Sequence, residues 1–335
     1  MLGIRKDFLF IILLALTMTA AGCSAGPDPS VVEAEIMTES GDPLDRYQIE
    51  DKGETVAFND GRGERIEVGK RPERVVVLMN SFVDMWVENG GEMVGMIEDP
   101  NNIVPGTEDV ETVGRFGSIS LEKVISLQPD LVILSSNSKS STEMIQPLED
   151  NGIPIMALTY EFKDDYFKIS RLFALVNDRI DLYEKTAQRV EEEIAETIAM
   201  VPDEDKPSVL ILFATSKAVS ARGSLSTLGE MLKDLKTVNI AEGDGLVETT
   251  QFSMEQVIAD DPDYILVQTM GSDMDAISEK LVSEVESNPA WSELSAVKNK
   301  RYMILSKDLY TYKANSRYGE AYKGLAEILY PDIFN

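Results

Sequence analysis

Arg115, Arg222 and Arg317 are the side chains in this chain best suited to grip a ligand's oxygen atoms. They stand among 31 Lys and Arg facing 59 Asp and Glu, for a net charge of −28 over 335 residues. A guanidinium presents a planar fork of donors that holds carboxylate or catecholate oxygens two at a time, which the point charge of lysine does not copy. Each arginine lies in or beside a stretch read as a loop: "GRFGS" (114–118), "SARGS" (220–224) and "LYTYKANSRYG" (309–319). A solvent-facing or salt-bridged arginine is the plain alternative for each. Tyr160, Phe162, Phe252, Tyr310 and Tyr312 offer flat apolar walls for a large ligand, and ordinary packing explains each of them equally well. Met79 and Met270 read as core filling, with soft contact to a bound metal complex as the alternative.

Other chemistry is excluded by what is missing. The chain has no histidine, which removes the usual ligand of zinc enzymes, the base of Ser-His-Asp triads and the axial ligand of many haem sites. So acidic a surface repels phosphate backbones, so no nucleic-acid partner is expected. "GRGER" near residue 61 sits in an expected hairpin and does not open a helix after a strand, so it is not a dinucleotide fingerprint. "EEE" at 191–193 lies on a polar helix face and reads as solvated. No nucleophile stands near a base, so neither an enzyme nor a cofactor is expected.

The elements that must position these residues follow from hydrophobic patterning. The start, "MLGIRKDFLFIILLALTMTAAGC", has a basic opening, an apolar run from Phe8 to Leu16 and small residues before Cys23, the one cysteine of the chain. This is a signal peptide (1–22), and "TAAGC" resembles a bacterial lipobox with Cys23 as the lipid-modified residue. Two or more acyl chains anchor stably, so membrane attachment through lipid alone is expected, and the body must fold without disulfides. A polar, proline-containing tether follows over 23–54. Asp60-Gly61 between two alternating stretches predicts a hairpin. "RVVVLM" (74–79), "EMVGMI" (92–97), "DLVILSS" (130–136) and "IPIMALTY" (153–160) then alternate with helical patterns, and the alternation resumes with "SVLILFATS" (208–216), "YILVQTM" (264–270) and "RYMILS" (301–306). Continuous apolar runs alternating with helices indicate mainly parallel sheets covered on both faces. Residues 164–201 contain neither Pro nor Gly and carry helical spacing, with "ND" at 177–178 dividing one helix from a second. Trp86 and Trp291 fall in helix-like segments and read as core. The reading is an N-terminal α/β lobe (55–176), a connecting helix (177–204) and a C-terminal α/β lobe (205–335).

One sentence is written twice. "SLEKVISLQPDLVI" from Ser120 and "SMEQVIADDPDYIL" from Ser253 agree at six of fourteen positions, 133 residues apart. Ser120 and Ser253 suit N-caps, Glu122 and Glu255 suit the first helical turn, and Pro129-Asp130 and Pro262-Asp263 end each helix before a strand. Two equivalent lobes are the simplest source of such a repeat.

The order and spacing of "NDGRGERIEVGKRPERVVVL", the two repeats, "NPAWSELSAVKNKRYMIL" and "GLAEILYPD" resemble the helical-backbone class of ABC-transporter substrate-binding proteins, over about residues 55–335. The resemblance implies two Rossmann-like α/β lobes joined by a long rigid helix, a ligand cleft between them, and small hinge motions. It implies capture of a ferric siderophore, with a corrinoid or haem as alternatives, and docking on a permease dimer through Glu122 and Glu255. A monomer is expected, on the outer face of the cytoplasmic membrane. Arg115 matches the place of a pocket arginine in some hydroxamate-siderophore binders. It also stands where haem-binding relatives carry a tyrosine, which ranks haem lower, and relatives that bind bare zinc or manganese need histidines. The cleft is expected from the loops after the strands, with Met79, Asn80, Arg115, Tyr160, Arg222, Phe252, Tyr310 and Arg317 as contacts. A surface adhesion or sensing module is the non-transport alternative, and it leaves the paired glutamates unexplained.

Overall fold

The computed structural model describes residues 45–99, 103–242, 249–250 and 253–334; Cys23, most of the tether and Phe252 lie outside the described residues. Strands β1 (Glu50–Asp51), β2 (Thr55–Asn59) and β3 (Arg65–Gly69) form a small antiparallel sheet. The loop between β2 and β3 is the expected hairpin. The buried Asp60 carboxylate accepts from the Arg62 N–H (2.8 Å), the Glu64 N–H (3.2 Å) and Arg62 Nε (2.7 Å), closing the turn with local bonds. Gly61 lies against the ends of two later strands: a Cβ there would come within 2.3 Å of Ser136 Oγ and 2.6 Å of Thr159 Oγ1.

The N-terminal lobe contains β4 (Val75–Val77), α1 (Asn80–Glu88), β5 (Gly95–Glu98), β6 (Glu111–Arg115), β7 (Ser118–Ile119), α2 (Leu121–Ser126), β8 (Leu131–Ser135), α3 (Lys139–Asp150) and β9 (Ile155–Leu158). Its strand order is β7-β6-β5-β4-β8-β9, parallel except for the edge strand β7. Then come α4 (Lys163–Val176), α5 (Ile180–Tyr183), a π turn over Glu184–Gln188 and α6 (Arg189–Met200). The break between α4 and α5 falls at Asn177, which ends α4, and at Asp178, whose φ of 57° takes the left-handed region that aspartate tolerates. From Ile180 to Met200 the helical run is continuous, roughly 30 Å long.

The C-terminal lobe has β10 (Ser208–Ala214), β11 (Val219–Arg222), α7 (Thr227–Asp234), β12 (Val238–Asn239), β13 (Thr249–Thr250), α8 (Met254–Asp260), β14 (Tyr264–Thr269), α9 (Met274–Leu281), α10 (Ser295–Lys298), β15 (Tyr302–Ile304), α11 (Lys307–Tyr310), α12 (Tyr318–Leu329) and α13 (Pro331–Phe334). Its parallel strands run β12-β10-β14-β15, with β11 and β13 antiparallel beyond. In both lobes the first strand therefore lies inside the sheet, between β5 and β8 in one and between β12 and β14 in the other. Val75 pairs with Leu131 in one lobe and Val209 with Tyr264 in the other.

The aspartate of each repeat has a duty that sequence reasoning missed. Asp130 accepts from the backbone N–H of Glu73 (2.8 Å) and Arg74 (2.9 Å), at the entry to β4. Asp263 accepts from the Ser208 N–H and hydroxyl, both at 2.8 Å, at the entry to β10. Each Pro-Asp thus fixes the register of the first strand of its own lobe.

Alternation along the strands divides the core. Val76, Leu78, Val132 and Leu134 face the outer helices of the N-terminal lobe, and Leu210, Leu212, Ile265 and Val267 do the same in the C-terminal lobe. Val75, Val77, Leu131 and Ile133 belong with Val209, Ile211, Tyr264 and Leu266 to one continuous apolar interior, joined through α4, α6 and α12. Trp86 is fully buried in that interior, and Trp291 is buried in the outer C-terminal core against Tyr302.

Candidate functional site

In open parallel sheets, ligands sit beyond the carboxyl ends of the strands where the strand order reverses. Here those points are the loops after β4 and β8 in one lobe and after β10 and β14 in the other. At the seam between the lobes the structure builds a buried polar network. The Tyr160 hydroxyl donates to Asn315 Oδ1 (2.8 Å), and Asn315 Nδ2 donates to Asp84 Oδ2 (2.8 Å) and the Ser81 carbonyl (3.2 Å). The Ser316 hydroxyl donates to Glu88. Lys313 Nζ lies 4.9 Å from the centre of the Tyr160 ring and donates to the Glu161 carbonyl and to Thr227 Oγ1. Lys163 Nζ reaches Asp234 (2.7 Å) and Glu230 (3.3 Å) across the same seam. Burial holds Lys313 down at about 8, against the opposing pull of Asp165, Glu161 and Glu230. Burial also lifts Glu88 to about 7, with the Ser316 hydrogen bond lowering it and Asp84 raising it.

The residues expected to contact ligand are distributed as follows. Arg115 is the last residue of β6, not a loop residue, and its guanidinium forks onto its cross-strand neighbour Glu98 at 3.0 and 3.1 Å, both side chains exposed. Arg317 makes the same fork onto Glu320, at 2.8 and 2.9 Å. Arg222 ends β11, half-buried, with its guanidinium 3.9 Å from the centre of the Phe213 ring, and burial lowers its proton affinity. Tyr160 is part of the seam network. Tyr310 is buried, its hydroxyl donating to the Ala321 carbonyl (3.3 Å) and its proton held up at about 12 by burial. Phe162 and Tyr312 are half-buried. Met79 stands before α1, packed on the shared interior, and Asn80 Nδ2 lies 3.5 Å from Asp99 Oδ2. Met270 is 39 % exposed, which corrects its reading as core filling: it follows the last residue of β14 and has left the sheet.

Lys313, Asn315 and Ser316 were passed over inside a stretch already singled out. Asn315 carries the clearest signal in retrospect, because asparagine is one of the few residues at home with a φ of 49°. The two glutamates of the repeat sit alike. Glu122 is in the first turn of α2 and Glu255 in the first turn of α8, each exposed and without an ion pair among the described residues. Their caps differ. Ser120 Oγ accepts from the Lys123 N–H (3.3 Å), as expected, whereas Ser253 occupies the cap position with extended backbone but makes no side-chain cap. No group of three or more metal-ligating side chains occurs among the described residues, and no helix among them is long and apolar enough to cross a membrane.

Two equivalent parallel-sheet lobes, bridged by a helical run and meeting at the carboxyl ends of their strands, define a two-lobed solute-binding protein. The chain belongs to the periplasmic binding protein family, whose model matches residues 75–309. It is 27 % identical over 317 residues to the Bacillus subtilis ABC transporter substrate-binding lipoprotein YvrC, covering 91 % of this chain and 96 % of that one. It is 26 % identical over 253 residues to the Fe(3+)-citrate-binding protein YfmC of the same organism, covering 73 % and 76 %. Among solved structures, an ABC transporter substrate-binding protein from Listeria monocytogenes superposes with a TM-score of 0.66 at 22 % identity, over 78 % of this chain and 100 % of that one. The family is one of binding proteins, and this chain is not an enzyme.

Proposed function

We propose that this chain is the substrate-binding component of an ABC importer, holding an iron complex, in the first place a ferric siderophore, in the cleft between its lobes. The observation that carries the reading is the matched placement of Glu122 and Glu255. Each is exposed in the first turn of the helix that leads into a parallel partner of its lobe's first strand, β8 beside β4 and β14 beside β10. Two like charges on equivalent sites of a two-lobed body fit a permease dimer that presents two like basic pockets, which sets orientation and makes the encounter salt-dependent. The relative named for ferric citrate favours an iron complex as cargo; a corrinoid or haem in the same cleft is the alternative. Cys23 at the end of "TAAGC" supports attachment by lipid to the outer face of the cytoplasmic membrane.

The test is charge reversal. With Glu122→Lys and Glu255→Lys combined, cells should lose uptake of the labelled iron complex while the purified protein retains its ligand-induced gain in melting temperature. Unimpaired uptake by the double variant would refute docking through these residues.

A further inference from the structure

The C-terminal lobe grips the N-terminal lobe through one short segment between α11 and α12. Lys313 donates to the Glu161 carbonyl after β9, Asn315 ties Tyr160, Ser81 and Asp84 together, and Ser316 donates to Glu88. Asp84 and Glu88 stand one turn apart on α1, so two carboxylates meet this segment side by side. The two oxygens of Glu88 differ. Oε1 accepts from the Ser316 hydroxyl, whereas Oε2 is shielded from water and has no hydrogen-bond partner. A full charge on that carboxylate is solvated at one oxygen only, and it faces the like charge of Asp84.

The cations on the elements packed closely on α1 are engaged elsewhere. On α4, Lys163 is held by Glu230 and Asp234, Lys168 reaches the Asn59 carbonyl (3.4 Å) and Arg171 lies over the Tyr183 ring (5.2 Å). What α4 brings to the two acids is Tyr166, whose proton is held up by burial and then by Glu88 and Asp84. Strand β4 has no charged residue, and the one charge of β5, Glu98, is forked with Arg115. Arg317, next to Ser316, is forked by Glu320. Neutralising Glu88 therefore falls to a proton.

We propose that the Glu88–Ser316 contact is a proton-controlled latch between the lobes, which holds residues 313–317 on α1 while Glu88 is neutral and loosens them when Glu88 ionises. Acid tightens the joint and neutral pH frees it. In the joined arrangement Glu88 releases its proton at about 7, and turned out to water it is an ordinary glutamate at 4.5. The opened segment gains on the closed one as pH rises between those values, by up to about 300-fold, and gains nothing more above 7. Lys313 does not set this slope: burial holds it at about 8, so it stays charged below neutrality.

The experiment follows amide hydrogen exchange in the full-length protein in detergent between pH 5.5 and 7.5. It uses neither ligand nor permease, so its failure leaves the transport reading standing. After correction for the intrinsic pH dependence of amide exchange, opening of residues 80–89 and 309–319 should rise by about twentyfold across that range. Glu88→Gln keeps an acceptor for Ser316 but cannot ionise, and it should flatten the rise. Asp84→Asn removes the like charge and should move the profile to lower pH, which loss of a contact alone does not do. That variant also carries the test should Glu88→Gln fail to fold. A flat wild-type profile, a slope that survives in Glu88→Gln, or a profile unmoved by Asp84→Asn overturns the latch. So does an equal rise in α3 and α9, which pack in the outer cores of their lobes, because the proton would then act on global stability.

Discussion

Replacing Asn315 by alanine removes a side chain whose partners lie 155 and 231 residues away in sequence. The buried Tyr160 hydroxyl loses its acceptor and the Asp84 carboxylate loses a donor at 2.8 Å. A neutral hydrogen bond contributes about 1 kcal/mol and a charge-assisted one about 2 kcal/mol. Alanine must also hold the left-handed φ of 49° that asparagine tolerates, at a further cost of about 1 kcal/mol. The expected loss is about 4 kcal/mol, or a fall in Tm of about 8 °C in a body of this size. Asn315→Gly separates the causes. Glycine keeps the backbone free and loses only the hydrogen bonds, so it should cost about 3 kcal/mol and, against the usual order, prove milder than alanine. Urea unfolding followed by tryptophan fluorescence is the assay, because Trp86 and Trp291 report from different lobes. Losses below about 1 kcal/mol in both variants would refute a closed network at the seam. A loss in alanine alone would assign the effect to backbone strain.

Two further outcomes follow from acids held by hydrogen bonds. Glu88 ionises at about 7 in the folded protein against 4.5 for an ordinary glutamate. Between those values the unfolded chain has already released the proton that the folded chain retains, so stability falls as pH rises and levels off above 7. Glu88→Gln should therefore gain on the order of 2 kcal/mol at pH 8 and nothing near pH 4; an unchanged pH slope in urea unfolding would refute the assignment. Asp130→Asn and Asp263→Asn should each cost about 2 kcal/mol, and the double variant should show their sum because the two strand-entry clamps share no partner. A clearly non-additive double variant would mean that the lobes transmit strand register to each other.

The parallel strands were legible because both faces are covered: "VVV", "LVIL" and "VLIL" leave nothing for a polar residue to do. The division at 177–178 was legible because Asn and Asp are the residues that end a helix with a positive φ. The strands β6, β7 and β11 were not, being short and half-polar, so "GRFGS" and "SARGS" passed for loops. The helix α3 hides behind a serine-rich start and an internal Pro147. The candidate site was legible only as a set of loops. Which side chains meet there depends on pairs such as Asn315 with Tyr160 and Ser316 with Glu88, and no local spacing encodes an encounter 155 or 228 residues apart. The fork of Arg317 onto Glu320 at i+3 is local and was open to reading, whereas that of Arg115 onto Glu98 needs the β5–β6 pairing that its half-polar strand conceals.

The interior shared by the two sheets means that neither lobe owns its core. A cut between α4 and α5 would part Val75 and Val77 from Val209 and Ile211, which share one apolar interior, so the halves of this internally repeated chain are not separable modules. The two similar halves are interdependent, and melting should show one cooperative transition. The spacing of the cleft walls is then set before any cargo arrives. Selection among ligands would then fall to size and shape, with little binding energy diverted into moving one half against the other.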